Sequence, residues 1–215
     1  MEKTIIEDFY QGNVIIREEI KECLDDYKNG NCVTIALIKS AIVQFGSIDA
    51  IFKSFDETNN KTTVVFKDSF EASVNLDEIN IVKNISGIIP HDNSIYYETA
   101  IKLFSIIAKR IYLTKENFSS ECITDFKSAV EYLNAGYSTK KAYKLLALQK
   151  KEIKKKNIKK FKSAIIYSGA HASYCSYGYQ DIFGKTYKIK RVFGINWMKN
   201  PRGIGGTILG AYILK

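Results

Sequence analysis

The chain has 215 residues, enough for one large domain or for two small lobes sharing an interface, and its 46% apolar content with a mean hydropathy of −0.16 describes a globular protein with a sizeable core. The net charge of +9 is local: residues 140 to 162 hold eleven lysines against one acid, Glu152, which leaves the rest of the chain at −1, so basicity is a stripe and not a property of the whole molecule. Four scattered cysteines without a C-x-x-C pair argue against a disulfide scaffold and for reduced thiols. His91 and His171 show no ligand spacing with those cysteines, so neither a metal nor another cofactor is expected.

In chain order, residues 1–13 carry acids where a signal peptide would have an apolar stretch. Val14, Ile15, Ile16, Ile20 and Leu24 predict a helix over residues 14 to 28, ended by the turn Asn29-Gly30-Asn31. A second helix is predicted from Cys32 to about Phe45, stopped by Gly46. It is apolar nearly all round, so it is buried and not amphipathic. Thr34, Lys39, Ser40 and Gln44 interrupt it, and it is too short to span a bilayer. From Ala50 to about Leu76 short strands joined by polar turns are predicted. Helices follow at Ser94 to Leu113, capped by Asp92, Asn93 or Ser94, and at Ser119 to Leu133. The lysine-rich segment from Ser138 to Ile158 reads as one more helix, and strands alone fill the remainder. The predicted class is α+β. A helical lobe over about 1–135 carries a strand insertion at 50–82, and a sheet lobe over 136–215 completes a single domain.

Three residues carry the chemical reading. Cys32 opens a buried helix, where unpaired backbone N–H groups and the positive end of the helix dipole favour a thiolate and can cradle an oxyanion. His171 lies between two strand-like stretches beside Gly169 and Ala170, small residues that leave room for a substrate. Asn200 stands at the end of a strand before Pro201 and Gly203, where its amide could fix the tautomer of a histidine. The expected roles are nucleophile for Cys32, general base and then acid for His171, and orienting group for Asn200.

With those residues in view the chain resembles the papain-like cysteine peptidases, and the calpain catalytic core in particular. Gly30-Asn31-Cys32 before an apolar helix is similar to the calpain Gly-Asp-Cys. His171-Ala172 is similar to its His-Ala, and Asn200-Pro201-Arg202-Gly203 to its Asn-Pro-Trp-Gly. The 139 residues from Cys32 to His171 fall within the roughly 130 to 150 of papain-type enzymes. The segment 62–79 resembles the calpain hairpin before an acidic stretch, 95–112 resembles the helix after it, and 197–215 resembles the papain ending. The likeness covers about residues 26 to 215. It implies a two-lobed fold, with a helical lobe holding the Cys helix and an antiparallel sheet or barrel lobe holding the His and Asn.

The departures are specific. Asp26 occupies the place of the oxyanion-hole glutamine, and a charged carboxylate cannot serve there; Asn29, Asn31 or Gln11 are the candidate donors. Val33 replaces the aromatic that follows the cysteine. Arg202 replaces the tryptophan that shields the His–Asn pair, with Trp197 near it in sequence as a supporting residue.

The expected function is cysteine-dependent hydrolysis of a peptide or isopeptide bond in a protein substrate. Deamidation or transglutamination by the same triad is one alternative. A degenerate fold that binds an anionic partner through the lysine stripe is another. Only Tyr143 and Phe161 interleave that stripe, which argues against nucleic acid. The expected location is the cytoplasm, with signal-free export as an effector kept open.

Overall fold

The computed structural model of the protein describes residues 5–24, 30–115, 121–169, 171–192, 195–199 and 205–215. It is α+β with antiparallel sheets. In chain order the elements are β1 (Phe9–Gln11), α1 (Glu18–Cys23), α2 (Cys32–Phe45), β2 (Ser54–Glu57), β3 (Lys61–Val65), β4 (Glu71–Asn75), α3 (Leu76–Ile85), β5 (Ile88–Pro90), α4 (Tyr97–Thr114) and α5 (Phe126–Asn134). Then come β6 (Lys150–Glu152), β7 (Ala164–Tyr167), β8 (Ala172–Ser176), β9 (Tyr179–Ile182), β10 (Lys185–Lys188), β11 (Lys190–Val192), β12 (Ile195–Lys199), β13 (Gly205–Thr207) and β14 (Gly210–Leu214).

Helix α2 begins and ends where the sequence places it, because Gly46 adopts φ +83° and its N–H closes on the carbonyl of Ile42. Leu37, Ile38 and Ala41 are fully buried along it. Each large side chain so enclosed is worth about 1.5–3 kcal/mol, which holds the helix at the centre of the molecule. Its partner is a six-stranded sheet in the order β10-β9-β8-β7-β14-β6. The sheet is buried on both faces, with the expected alternation. Ile165, Tyr174 and Tyr212 join the core beneath α2, while Ile166, Cys175 and Ala211 join a second core with Ile158, Ile189 and Ile208. The strands β2, β3 and β4 form a separate antiparallel meander, β11, β12 and β13 another, and β1 pairs with β5.

Four expectations need correction. The helix predicted over 14 to 28 is confined to α1, because the N–H of Ile15 bonds to Ile85 and the chain there runs extended; residues 25–29 lie outside those described. The strand insertion ends at Asn75, not 82. Asn75 and Glu78 form a reciprocal capping box that starts α3 directly after β4. The helix predicted from Ser119 is α5, capped at Asp125 by Ser128. The lysine segment is no helix: it is a 3-10 turn at Ala142–Leu146, the strand β6, and a second 3-10 turn at Lys155–Lys160. There β6 completes the sheet by pairing with β14, and this edge pairing overrides the helix propensity of lysine.

Helix α4 starts later than expected, and it is capped from a distance as well as locally. The buried carboxylate of Asp8 accepts the N–H groups of Ile95 (2.8 Å) and Tyr96 (2.9 Å) as well as the hydroxyl of Ser94, while Ser94 Oγ accepts the N–H of Tyr97 at 3.1 Å.

Candidate active site

The position of Cys32 follows from how α2 is pinned to the sheet. Ser40 Oγ meets Ser163 Oγ at 2.8 Å, and Ser163 Oγ donates to the Ser40 carbonyl at 3.0 Å. Ser163 immediately precedes Ala164, which is in register with Cys175 of β8. One residue earlier on the helix, the Lys39 amine donates to Asp181 Oδ2 at 2.6 Å and to the Ile6 carbonyl at 3.0 Å, and lies over the Phe9 ring. Asp181 sits beside Gln180, the register partner of Cys175. Residues 39 and 40 are therefore level with the C-terminal end of β8. From Ser40 back to Cys32 the helix covers about 12 Å at 1.5 Å per residue. From Ser176 back to His171 the strand covers about 16 Å at about 3.3 Å per residue. Helix α2 packs against β8, with Cys32 the first residue of α2 and His171 directly before the first residue of β8.

His171 belongs to the turn between β7 and β8, closed by the Ser168 N–H on the His171 carbonyl at 2.9 Å. Enclosure of the ring lowers its pKa to about 4, so the imidazole is neutral near pH 7. The β11–β13 sheet reaches the same turn: Gly206 of β13 packs against Ser168, and Gly206 is the register partner of Met198 on β12. The backbone of Trp197 pairs with Lys190 and Thr207. Asn200 follows β12 and lies outside the described residues, as do Asn29 and Asp26.

The two remaining oxyanion candidates separate clearly. Asn31 is fully buried, and its Nδ2 donates to the Ser86 carbonyl at 2.5 Å and to Asn134 Oδ1 at 3.4 Å. Turned away in this manner it makes no side-chain cap on α2, and the expectation that it might face an oxyanion is corrected: it anchors the helix start. Asn134 completes the anchor, its amide donating to Ile85 (2.7 Å) and Ile15 (3.2 Å) and its carbonyl accepting from Gly30 (2.9 Å). Gln11, at the end of β1, instead brings its amide to the head of the helix. A Cβ at Gly30 would stand 2.8 Å from Gln11 Nε2, and Gly30 holds φ +147°. Only glycine allows that approach. The Asn31–Asn134–Ser86 anchor escaped sequence reasoning, because nothing local marks three residues so far apart as partners.

The other cysteines are unlike Cys32. Cys175 is fully buried and pushed up to about 12 by that burial. Cys23 and Cys122 are joined in a disulfide with Cα atoms 5.7 Å apart. This corrects the expectation of four reduced thiols; α1 packs on α5, and Arg17, just before α1, pairs with Glu131 at 2.7 Å. Among the described residues no group of three or more His, Cys, Asp or Glu side chains is arranged to hold a metal ion, and no helix is long and apolar enough to cross a membrane.

No protein-family model matches the chain, and neither the curated proteins nor the solved structures hold a significant match to it.

Proposed function

We propose that the chain is a cysteine hydrolase of papain-like, calpain-type architecture that cleaves a peptide or isopeptide bond. The observation that carries the reading is that a cysteine opens a buried helix packed on β8, while a neutral histidine directly precedes that same strand. In this reading the Cys32 thiol gives its proton to His171, and the thiolate attacks the substrate carbonyl carbon, forming a C–S bond while the C=O pair moves to oxygen. The first turn of α2, at the positive end of the helix dipole, and the Gln11 amide stabilise that oxyanion. The carbonyl re-forms as the C–N bond breaks, and His171 passes its proton to the leaving amine. Water then attacks the thioester, returns a proton to His171, and releases a carboxylate and the Cys32 thiol. Asn200 orients the imidazole. Gln11 thus takes the role that Asp26 cannot.

Resolution of the same thioester by an amine, or attack on a glutamine side chain, would give transglutamination or deamidation. Mass spectrometry of candidate proteins incubated with the chain distinguishes a cut, a gain of about one mass unit, and a crosslink. Cys32→Ala should abolish whichever product forms, and Gln11→Ala should lower kcat by about 100- to 1,000-fold. Product formation that survives Cys32→Ala refutes the proposal. Export suits the molecule better than the cytoplasm, since the Cys23–Cys122 disulfide persists in an oxidising compartment.

A further inference from the structure

The fold supplies the aromatic rings that the lysine stripe lacks in sequence. The 3-10 turn Lys155–Lys160 buries Ile158 and leaves Lys155, Lys156, Lys159 and Lys160 exposed. Against it lies the β8–β9 hairpin: Gly178 approaches so closely that a Cβ would stand 2.6 Å from Lys159 Cγ, and the Tyr177 N–H bonds to the Phe161 carbonyl at 2.8 Å. Tyr177 is 58% exposed and Tyr179 is 42% exposed. On the hairpin's other side Lys188 is the register partner of Tyr179, and the Ile189 N–H bonds to Gly178, which brings Lys190 alongside. This end of the sheet therefore carries two exposed rings, Tyr177 against the Lys155–Lys160 turn and Tyr179 beside Lys188 across the β9–β10 register.

The acids nearby do not neutralise it. Asp181 is buried against Lys39, Glu152 is paired with Lys150, and Glu7 accepts from Thr186 farther along β10. Lys159, Lys160, Lys188 and Lys190 have no carboxylate partner among the described residues.

Tyr177 is also a poor choice for the fold alone. Tyr177 (φ +47°) and Gly178 (φ +82°) are both left-handed, as a two-residue hairpin turn requires, and asparagine suits the first position far better than a bulky aromatic. A ring that is strained in backbone and spread in water is retained for something other than stability.

We propose that this surface binds single-stranded nucleic acid, with the lysines tracking phosphates and Tyr177 and Tyr179 stacking on bases. Stacking platforms set in a basic groove bind single strands without sequence preference. A membrane fits less well, because the surface presents tyrosines and no exposed Leu or Ile to insert. The surface lies at the end of β8 opposite His171, so it stands independently of the catalytic reading.

The test is fluorescence anisotropy of the full chain with a labelled mixed-sequence 15-nucleotide DNA strand, at several salt concentrations. About four to six phosphate contacts give a plot of log affinity against log salt with a slope of about −3 to −4. Lys159→Gln with Lys160→Gln should weaken binding at least tenfold. Tyr177→Asn with Tyr179→Thr should also cost about tenfold, and Tyr177→Phe with Tyr179→Phe should restore it. The asparagine suits the turn, so a thermal melt of that variant should match the parent chain. Cys32→Ala should leave binding unchanged. The proposal is overturned if no binding is seen at low salt, or if removing the rings leaves affinity intact, which marks a general polyanion site. It is equally overturned if vesicles of phosphatidylserine and phosphatidylcholine outcompete the oligonucleotide.

Discussion

Two thiols lie outside the disulfide, and their surroundings set opposite reactivities. Cys175 is sealed in the second core with its pKa pushed up to about 12, whereas Cys32 is partly exposed at a helix start that favours the thiolate. Iodoacetamide at neutral pH should therefore modify Cys32 alone in the folded chain, read by peptide mapping. Equal modification of Cys175 would contradict the burial described here. His171 makes a separate prediction. Its pKa of about 4 lies below the unfolded value near 6.5, so between these the unfolded chain binds a proton that the folded chain refuses. The ring's contribution to stability is complete above about pH 6.5 and is lost as pH falls toward 4. Substituting glutamine should flatten the slope of unfolding free energy against pH across that window, measured by urea titration.

At the scale of elements, α2 owes its position to a few polar contacts within an apolar seam. Lys39 and Asp181 are both buried; desolvation pulls the lysine down and pushes the carboxyl up, and their mutual attraction offsets both shifts. Lys39→Met strands a carboxylate in the core and should cost about 3–5 kcal/mol in urea unfolding, and adding Asp181→Leu should recover most of it. The sequence displayed this helix plainly, because Gly30 and Gly46 bracket a run that is apolar all round. Lys39 read there only as an interruption, since its partner lies in a distant strand. Helix α3 is hidden for a local reason: Ile79, Asn80 and Ile81 alternate as a strand does, and only the Asn75–Glu78 box decides for a helix. The lysine segment failed in the opposite direction. Leu145, Leu146, Leu148, Ile153 and Ile158 do not share one helical face, and the long side chains between them suit a helix only where no strand edge competes. Of the candidate site, Cys32 was legible from the turn before it. The approach of Gln11 to Gly30 was not, because an excursion through α1 separates them in sequence and closes only through Asn134.

Over the whole molecule, the two proposals fall at opposite ends of β8, with His171 directly before the strand and Tyr177 directly after it. The Cys23–Cys122 bridge bears on the first end alone, since Cys23 stands shortly before the segment that leads into Cys32. It closes a loop of 99 residues, which spans α2 and all of the meander β2–β4. Restricting so long a loop in the unfolded chain is worth about 2–4 kcal/mol in practice, and somewhat more by chain entropy alone. Cys23→Ser with Cys122→Ser should lower unfolding free energy by that amount under non-reducing conditions. Dithiothreitol should bring the parent chain down to the variant's value and leave the variant itself unmoved. Because α1 is also held by Arg17 on Glu131, the fold should survive reduction at 25 °C. The segment before Cys32 loses its covalent tether, so reduction should speed alkylation of Cys32 while the far-ultraviolet circular dichroism stays the same. A reduced chain that unfolds outright would mean that the bridge, and not the packing of α1 on α5, holds this end together.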